Sequence, residues 1–398
     1  MKKIDISSIG NKLPILNWAK DIEGAAMSQA LALANHPCVV DHVSLMPDCH
    51  AGKGMCIGGV IAVDNAVIPN AVGVDIGCSM SAIRTNLTID DVPVEMLHKI
   101  IGGGKEYPGG IRASIPTGMS HNKVKQDHSI FARRDLWNEA VVCKEELESA
   151  QYQLGSLGGG NHFIEIQADQ DNNVWVMIHS GSRNLGYKVG SYYNNLANEL
   201  CLRWRHPDVV INKLAFLPRG SAEYDMYLAE MNICLEFAKA NHDIMMGKII
   251  AIMNHIFPKF EVLNHIYTRH NYAALEHHLN RNLMIHRKGA INANEGTLAI
   301  IPGSQGTSSY IVEGLGNPAS FCSASHGAGR KMSRTKAKAE LSLKAEQEKM
   351  SGIVHNINSD EQLDEAPSAY KDIDEVIRAE LDLVKPLVKL RPLAVVKG

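Results

Sequence analysis

Residues 162–179 read HFIEIQADQDNNVWVMIH, two short runs of alternating apolar and polar residues either side of a polar tract. Alternation of period two marks strands with one buried face, and ADQDNN is dense in turn formers, so the stretch predicts an antiparallel hairpin. Counting outward from the turn pairs Gln167 with Val174, Glu165 with Val176 and His162 with His179. Partners facing each other across such strands lie about 5 Å apart at Cβ, near enough for two imidazoles to serve one metal centre.

Upstream, VSLMPDCHAGKG (43–54), IGGVIAV (57–63) and AVIPNAVGVDIGC (66–78) are apolar runs broken by turn formers and read as buried strands. Asp48, Cys49 and His50 fall at one strand end, Asp75 and Cys78 at another. Residues 54–74 are apolar for about the length of a membrane span. Asp64, Asn65, Pro69, Asn70 and the glycines suit strands joined by a turn better than a lipid-exposed helix. Residues 102–131 are rich in Gly, Pro, Ser, His and Lys without periodicity and read as a long loop; a helical pattern follows over about 134–150.

Downstream, Tyr224, Leu228, Met231, Leu235 and Ala238 recur at helical spacing, predicting one helix that runs to about Phe257. Strand character returns over 284–311, broken by IPGSQGTSS (301–309), whose glycines and hydroxyls suit a phosphate or sugar. Helical spacing appears again over 333–350 and at Ile373, Val376, Ile377, Leu381 and Val384, with Pro386 expected to end that last helix. No linker or repeat divides the chain, so a single large domain over 1–398 is expected.

The 398 residues are 45% hydrophobic, enough for a full core, and carry a net charge of −3, which argues against a generally basic nucleic-acid coat. Any RNA contact has to come from a local patch, and Arg330, Lys331, Arg334, Lys336 and Lys338 form one. Eight cysteines without CxxC pairs, and no charged leader before an apolar core, point to a reducing, cytoplasmic compartment. The patch follows GNPASFCSASHGAGRKMSR (316–334), in which small residues flank His326 and let a backbone approach an anion closely.

Asp75, Cys78, His162, His179 and His270 together make one carboxylate, one thiolate and three imidazoles near strand ends or glycine turns. That is an inventory for two metal ions, since a thiolate can bridge; ligand softness alone favours zinc.

GVDIGC (73–78), GGGNHFIE (158–165), HSGSR (179–183), HNY (270–272), IPGS (301–304), SHGAGR (325–330) and VKG (396–398) occur in the order seen in RNA-splicing ligases of the RtcB type, which the whole chain resembles. The resemblance implies an α+β fold, with mixed and antiparallel sheets forming the active-site core and helices outside. It implies an RNA ligase that joins a 3′-phosphate or 2′,3′-cyclic phosphate end to a 5′-hydroxyl, using GTP and two Mn²⁺, which replace the zinc expected from softness. By similarity Cys78 bridges the ions, one held also by Asp75 and His162, the other by His179 and His270, and His326 is the nucleophile that carries GMP. Asn161, Phe163, Glu165, Ser304, Ser309, Ala328, Tyr370 and Lys397 match nucleotide-surrounding positions, with Glu165 and Lys397 at the guanine edge. Arg183, Arg330 and Arg334 match RNA-phosphate positions. An archease-type activator is a partner the family implies. The chain departs from the pattern at Gln305, where methionine is expected, and at Ala324, where some relatives carry cysteine. Two other readings use the same residues differently: a metal-dependent cyclic phosphodiesterase, which needs no histidine nucleophile, and a non-catalytic RNA-binding or translation-rescue accessory protein, which needs only the basic patch.

Overall fold

A computed structural model describes residues 1–4 and 12–398. The chain builds two large sheets. The first runs, in spatial order, Lys2–Ile4, Ile15–Asn17, Val39–His50, Ile57–Val63, Arg281–Lys288, Asn271–His278; the second runs Val262–Arg269, Ser79–Thr88, Asn173–Ser180, Phe163–Ala168, Val384–Lys397, Ser309–Gly314, Leu298–Ile301. Within them only Ile15–Asn17 against Val39–His50 is parallel. With the helices packed outside, the architecture is the expected α+β.

The hairpin of 162–179 is present, but its register is moved by one residue: Phe163, not His162, faces His179, Glu165 faces Met177 and Gln167 faces Trp175. The turn is the cause. Asp169 N donates to Asn173 O (3.0 Å), and Asn172 adopts a left-handed φ of 64°, so the loop closes on three residues instead of six. The Asp169 carboxylate fills the turn, accepting from Asp171 N, Asn173 N, Asn173 Nδ2 and Trp175 Nε1 at 2.9–3.1 Å. His162 therefore lies one residue outside the strand, yet its ring centre is still 5.3 Å from that of His179.

Two further expectations are corrected. Of 66–78, only Ala66–Val67 is strand; Pro69–Val72 is a single helical turn opened by its proline, whose ring presets φ and whose missing N–H would be unbonded there anyway. The last helix spans Ile373–Ala379, so Leu381 falls beyond it and Val384 opens the long strand Val384–Lys397. Pro386 sits inside that strand beside a register shift between Ile311 and Val312, where a ladder donor is dispensable. Two other helical stretches hold in two pieces each, Arg134–Glu139 with Val142–Gln153 and Arg334–Glu340 with Leu343–Lys349. Among the described residues no helix is long and apolar enough to cross a membrane, and 57–63 of the apolar stretch is strand.

The long helix, Ala222–Ile256, starts at Ser221, whose Oγ accepts from Tyr224 N. Its first half, with Met231 and Leu235, shares a core with Val43, Leu45 and Ile61 of the first sheet. Its second half, with Met245, Ile249 and Met253, packs with Ile164, Ile166, Val176 and Ile178 of the second. Between the halves, Asn241 Oδ1 accepts from Gly155 N and Ser156 N, and Asn241 Nδ2 donates to Ser156 O, Ser180 Oγ and Gly181 O. One buried amide thus clamps the two segments that present His162 and His179.

Candidate metal centre and nucleotide pocket

The five metal-type residues meet because antiparallel neighbours end side by side. Ser79 pairs with Ser180 on one flank and Arg269 on the other, which brings Cys78, His179 and His270 to one edge; His162 arrives from the start of the adjoining strand. Cys78 Sγ stands 3.2 Å from His179 Nε2 and 3.5 Å from His162 Nε2. His179 Nε2 is 3.3 Å from His270 Nε2, and His162 Nε2 is 3.6 Å from Asp75 Oδ2. Two donors each bound at about 2.0–2.3 Å to one tetrahedral ion lie about 3.5 Å from each other, so these separations suit ligation. Two overlapping sets result, Cys78 with His179 and His270, and Asp75 with Cys78 and His162, sharing the one sulfur.

The ring tautomers agree with this. His162 Nδ1 donates to Leu157 O (2.9 Å) and His179 Nδ1 to Asn161 O (3.2 Å), leaving each Nε2 lone pair for a cation. Burial, then the neighbouring imidazoles, pushes His179 and His270 well below the usual histidine range, so both rings are neutral. Burial and Asp75 push the Cys78 thiol well up, and a bound cation is what would make it a thiolate. Gly158 is required here: at φ +93° a Cβ would lie 1.9 Å from Arg183 Nη1 and 2.7 Å from His162 Nδ1.

His326 stands beside this centre, its ring centre 4.9 Å from that of His270. Its Nδ1 donates to Asp48 Oδ2 at 2.7 Å, and its backbone N donates to the same oxygen at 3.1 Å. Asp48 is fully buried, so the imidazole is fixed in orientation and tautomer with Nε2 free. Gly289, at φ +61°, lets the ring in: a Cβ there would sit 3.0 Å from His326 Cε1. Behind, the fully buried Glu380 carboxylate accepts from Ser325 N at 2.9 Å, and burial pushes its acid up to about 8.

His326, Asn161 and Ile57 border two adjoining chambers of about 90 and 250 Å³. Phe163, Ser304, Ala328, Tyr370 and Lys397 line the smaller chamber, and Asp75, His270 and Lys288 line the larger. Lys397 Nζ lies 5.7 Å from the Phe163 ring centre. Two more of the eight residues expected around a nucleotide, Glu165 and Ser309, are buried directly beside this lining, Ser309 Oγ accepting from Gly303 N at 3.4 Å. Ser309 is 1% exposed and accepts from Gln167 Nε2 (3.1 Å), and Glu165 accepts from the same nitrogen (2.6 Å). Burial raises Glu165 to about 8 against the opposing pull of Lys397 and Gln167.

The three arginines differ. Arg334 is half exposed, its Nη2 3.3 Å from Glu365 Oε1. Arg330 lines the smaller chamber and donates to Met332 O (3.0 Å), Glu365 Oε1 (3.1 Å) and Asp364 O (2.5 Å). Arg183 packs beneath the Gly158 turn and donates to Ser156 Oγ and Gly118 O, both at 3.3 Å. Sequence reasoning noticed Asp48 at its strand end without giving it a role, and missed Glu365, Glu380 and Lys288. The acid in PDCH was a readable signal for Asp48; for the others no local pattern marks the contact.

The model of the family described as tRNA-splicing ligase RtcB matches residues 29–398. An RNA-splicing ligase RtcB of Escherichia coli K12 is 38% identical over 407 residues, spanning 97% of each chain. A tRNA-splicing ligase RtcB of Nanoarchaeum equitans is 32% identical over 94% of this chain and 92% of its own, and one of Pyrobaculum aerophilum is 31% identical over 97% and 95%. Fold, converging donors and full-length similarity agree, and the chain belongs to the RtcB family.

Proposed function

We propose that this chain is an RNA ligase that joins a 3′-phosphate end, or a 2′,3′-cyclic phosphate end after its opening by water, to a 5′-hydroxyl end. The observation that carries this reading is His326, held by Asp48 through Nδ1 with Nε2 free at the junction of two chambers and next to the converged thiol and imidazoles. Nε2 attacks the α-phosphorus of GTP, pyrophosphate leaves, and GMP is held through a P–N bond while Asp48 balances the charge on the ring. An oxygen of the RNA 3′-phosphate then attacks that phosphorus and His326 leaves, giving an RNA 3′-diphosphate-guanosine end. The 5′-hydroxyl attacks the RNA-side phosphorus, GMP departs, and a phosphodiester remains. Two Mn²⁺ in the overlapping donor sets, when bound, offset negative charge on the reacting phosphates. Phe163, Ser304, Ser309, Ala328 and Tyr370 surround the guanosine, Asn161 faces both chambers, Glu165 and Lys397 meet the guanine edge, and Arg183, Arg330 and Arg334 hold RNA. A cytoplasmic setting accords with eight free cysteines; the chain acts as one domain, with an archease-type activator as a further partner.

Incubation with α-labelled GTP and Mn²⁺, followed by a denaturing gel, separates this reading from a cyclic phosphodiesterase and from a non-catalytic RNA-binding protein, neither of which takes up GMP. The label should map to the peptide containing SHGAGR, vanish in mild acid and persist in alkali. His326→Ala should lose the adduct yet still seal RNA already bearing the 3′-diphosphate-guanosine end. Label surviving in His326→Ala overturns the mechanism.

A further inference from the structure

We infer that Glu365 is a positioning residue that ties the nucleotide pocket to the RNA-phosphate arginines, an inference that rests on the functional reading above. Glu365 ends the 3₁₀ helix Asp360–Glu365, lines the smaller chamber and is 5% exposed. Its two oxygens sort their partners. Oε1 meets Arg330 Nη1 at 3.1 Å and Arg334 Nη2 at 3.3 Å, the two arginines proposed to hold RNA, of which Arg330 also lines the smaller chamber. Oε2 accepts from the Tyr370 hydroxyl and meets Lys397 Nζ at 3.5 Å, the nucleotide side.

An ionised carboxylate offers about four acceptor sites, and hydrogen bonds from Arg330, Tyr370 and Lys397 take three of them while Arg334 adds an ion pair. Its acid is lowered, because Lys397, the Tyr370 hydroxyl and the two arginines together outweigh the burial that opposes charge. One negative charge among three cations leaves two positive charges in excess, available to phosphate. Long cationic side chains lose rotamer freedom when they bind, and a shared anchor that orders them beforehand removes part of that cost for both substrates. The anchor is itself held: Gln305 Nε2 donates to Glu365 O at 2.7 Å. Gln305 stands where methionine was expected, and a methionine has no donor to make that bond.

Single-turnover labelling tests this. The GTP concentration giving half-maximal rate of GMP adduct formation, and the 3′-phosphate RNA concentration giving half-maximal rate of adduct discharge, are measured for wild type, Glu365→Gln, Lys397→Ala and Arg334→Ala. Glu365→Gln should raise both by about tenfold, the scale of a lost charge-assisted hydrogen bond, with a smaller change in the saturated rates. Lys397→Ala should raise only the GTP value and Arg334→Ala only the RNA value. A Glu365→Gln protein that moves one value or neither overturns the inference, while a wild type that takes up no GMP overturns the functional reading instead. Should Glu365→Gln lose its thermal transition, Gln305→Met decides: it should raise both values by about threefold, and no change in either is the contrary result.

Discussion

At His326 a carboxylate decides which ring nitrogen is free. Asp48 accepts from Nδ1 at 2.7 Å, so the lone pair sits on Nε2, the nitrogen proposed to attack GTP. In Asp48→Asn the amide can donate to Nδ1 and move the proton to Nε2, so adduct formation should fall by about a hundredfold or more with the fold retained, measured as the single-turnover labelling rate. A rate within a few-fold of wild type removes Asp48 from the mechanism. Glu380 gives a pH dependence instead. Its acid is raised from 4.5 to about 8, first by burial and then by Asp48 and Asp382, against the bonds from Ser325. Between those values the native chain holds a proton that the unfolded chain has lost, so stability falls as pH rises through that window and levels off above it. The cost accrues at about 1.4 kcal/mol per pH unit. Glu380→Gln, neutral throughout, should show a melting-temperature advantage over wild type that grows from pH 5 to pH 8; an advantage independent of pH excludes this ionisation.

Among the elements, the 162–179 hairpin shows what a local pattern carries. Alternation located both strands and the turn formers located the turn, but the register followed from how the Asp169 carboxylate packs the loop, using Asp171, Asn173 and the side chain of Trp175. Asp169→Ala should leave those donors unpaired and destabilise the protein by on the order of 3 kcal/mol, seen in the denaturant midpoint, with earliest proteolysis near 169–173. An unchanged midpoint removes Asp169 as the source of the register. The last helix was overread for a related reason. Leu381 and Val384 fit its period, but Val384 is taken into the ladder at Gly314, and a strand paired along its whole length, first to Ser309–Gly314 and then to Phe163–Ala168, outweighs weak helical spacing.

For the whole molecule, the metal reading predicts ligand-linked stability. Mn²⁺ at about a hundred times its Kd stabilises the native state by about 2.7 kcal/mol per site, so wild type should melt higher with Mn²⁺ and lose the gain on chelation. Cys78→Ser removes the sulfur shared by both donor sets and should lose most of the shift and at least one bound ion, read by metal analysis; two ions retained in Cys78→Ser exclude a bridging role. By itself the sequence determined the chemistry on offer and the periods of the main elements: a thiol, three imidazoles and a carboxylate near strand ends, a histidine among glycines, and a long amphipathic helix. These are legible because side-chain type and period are local properties. Only the tertiary structure decided the hairpin register, the link from Asp48 to His326 across 278 residues of sequence, and the gathering of Arg330, Arg334, Tyr370 and Lys397 on Glu365. Such contacts depend on how separate elements pack and on which buried polar groups must then find partners, and no stretch of chain encodes that alone.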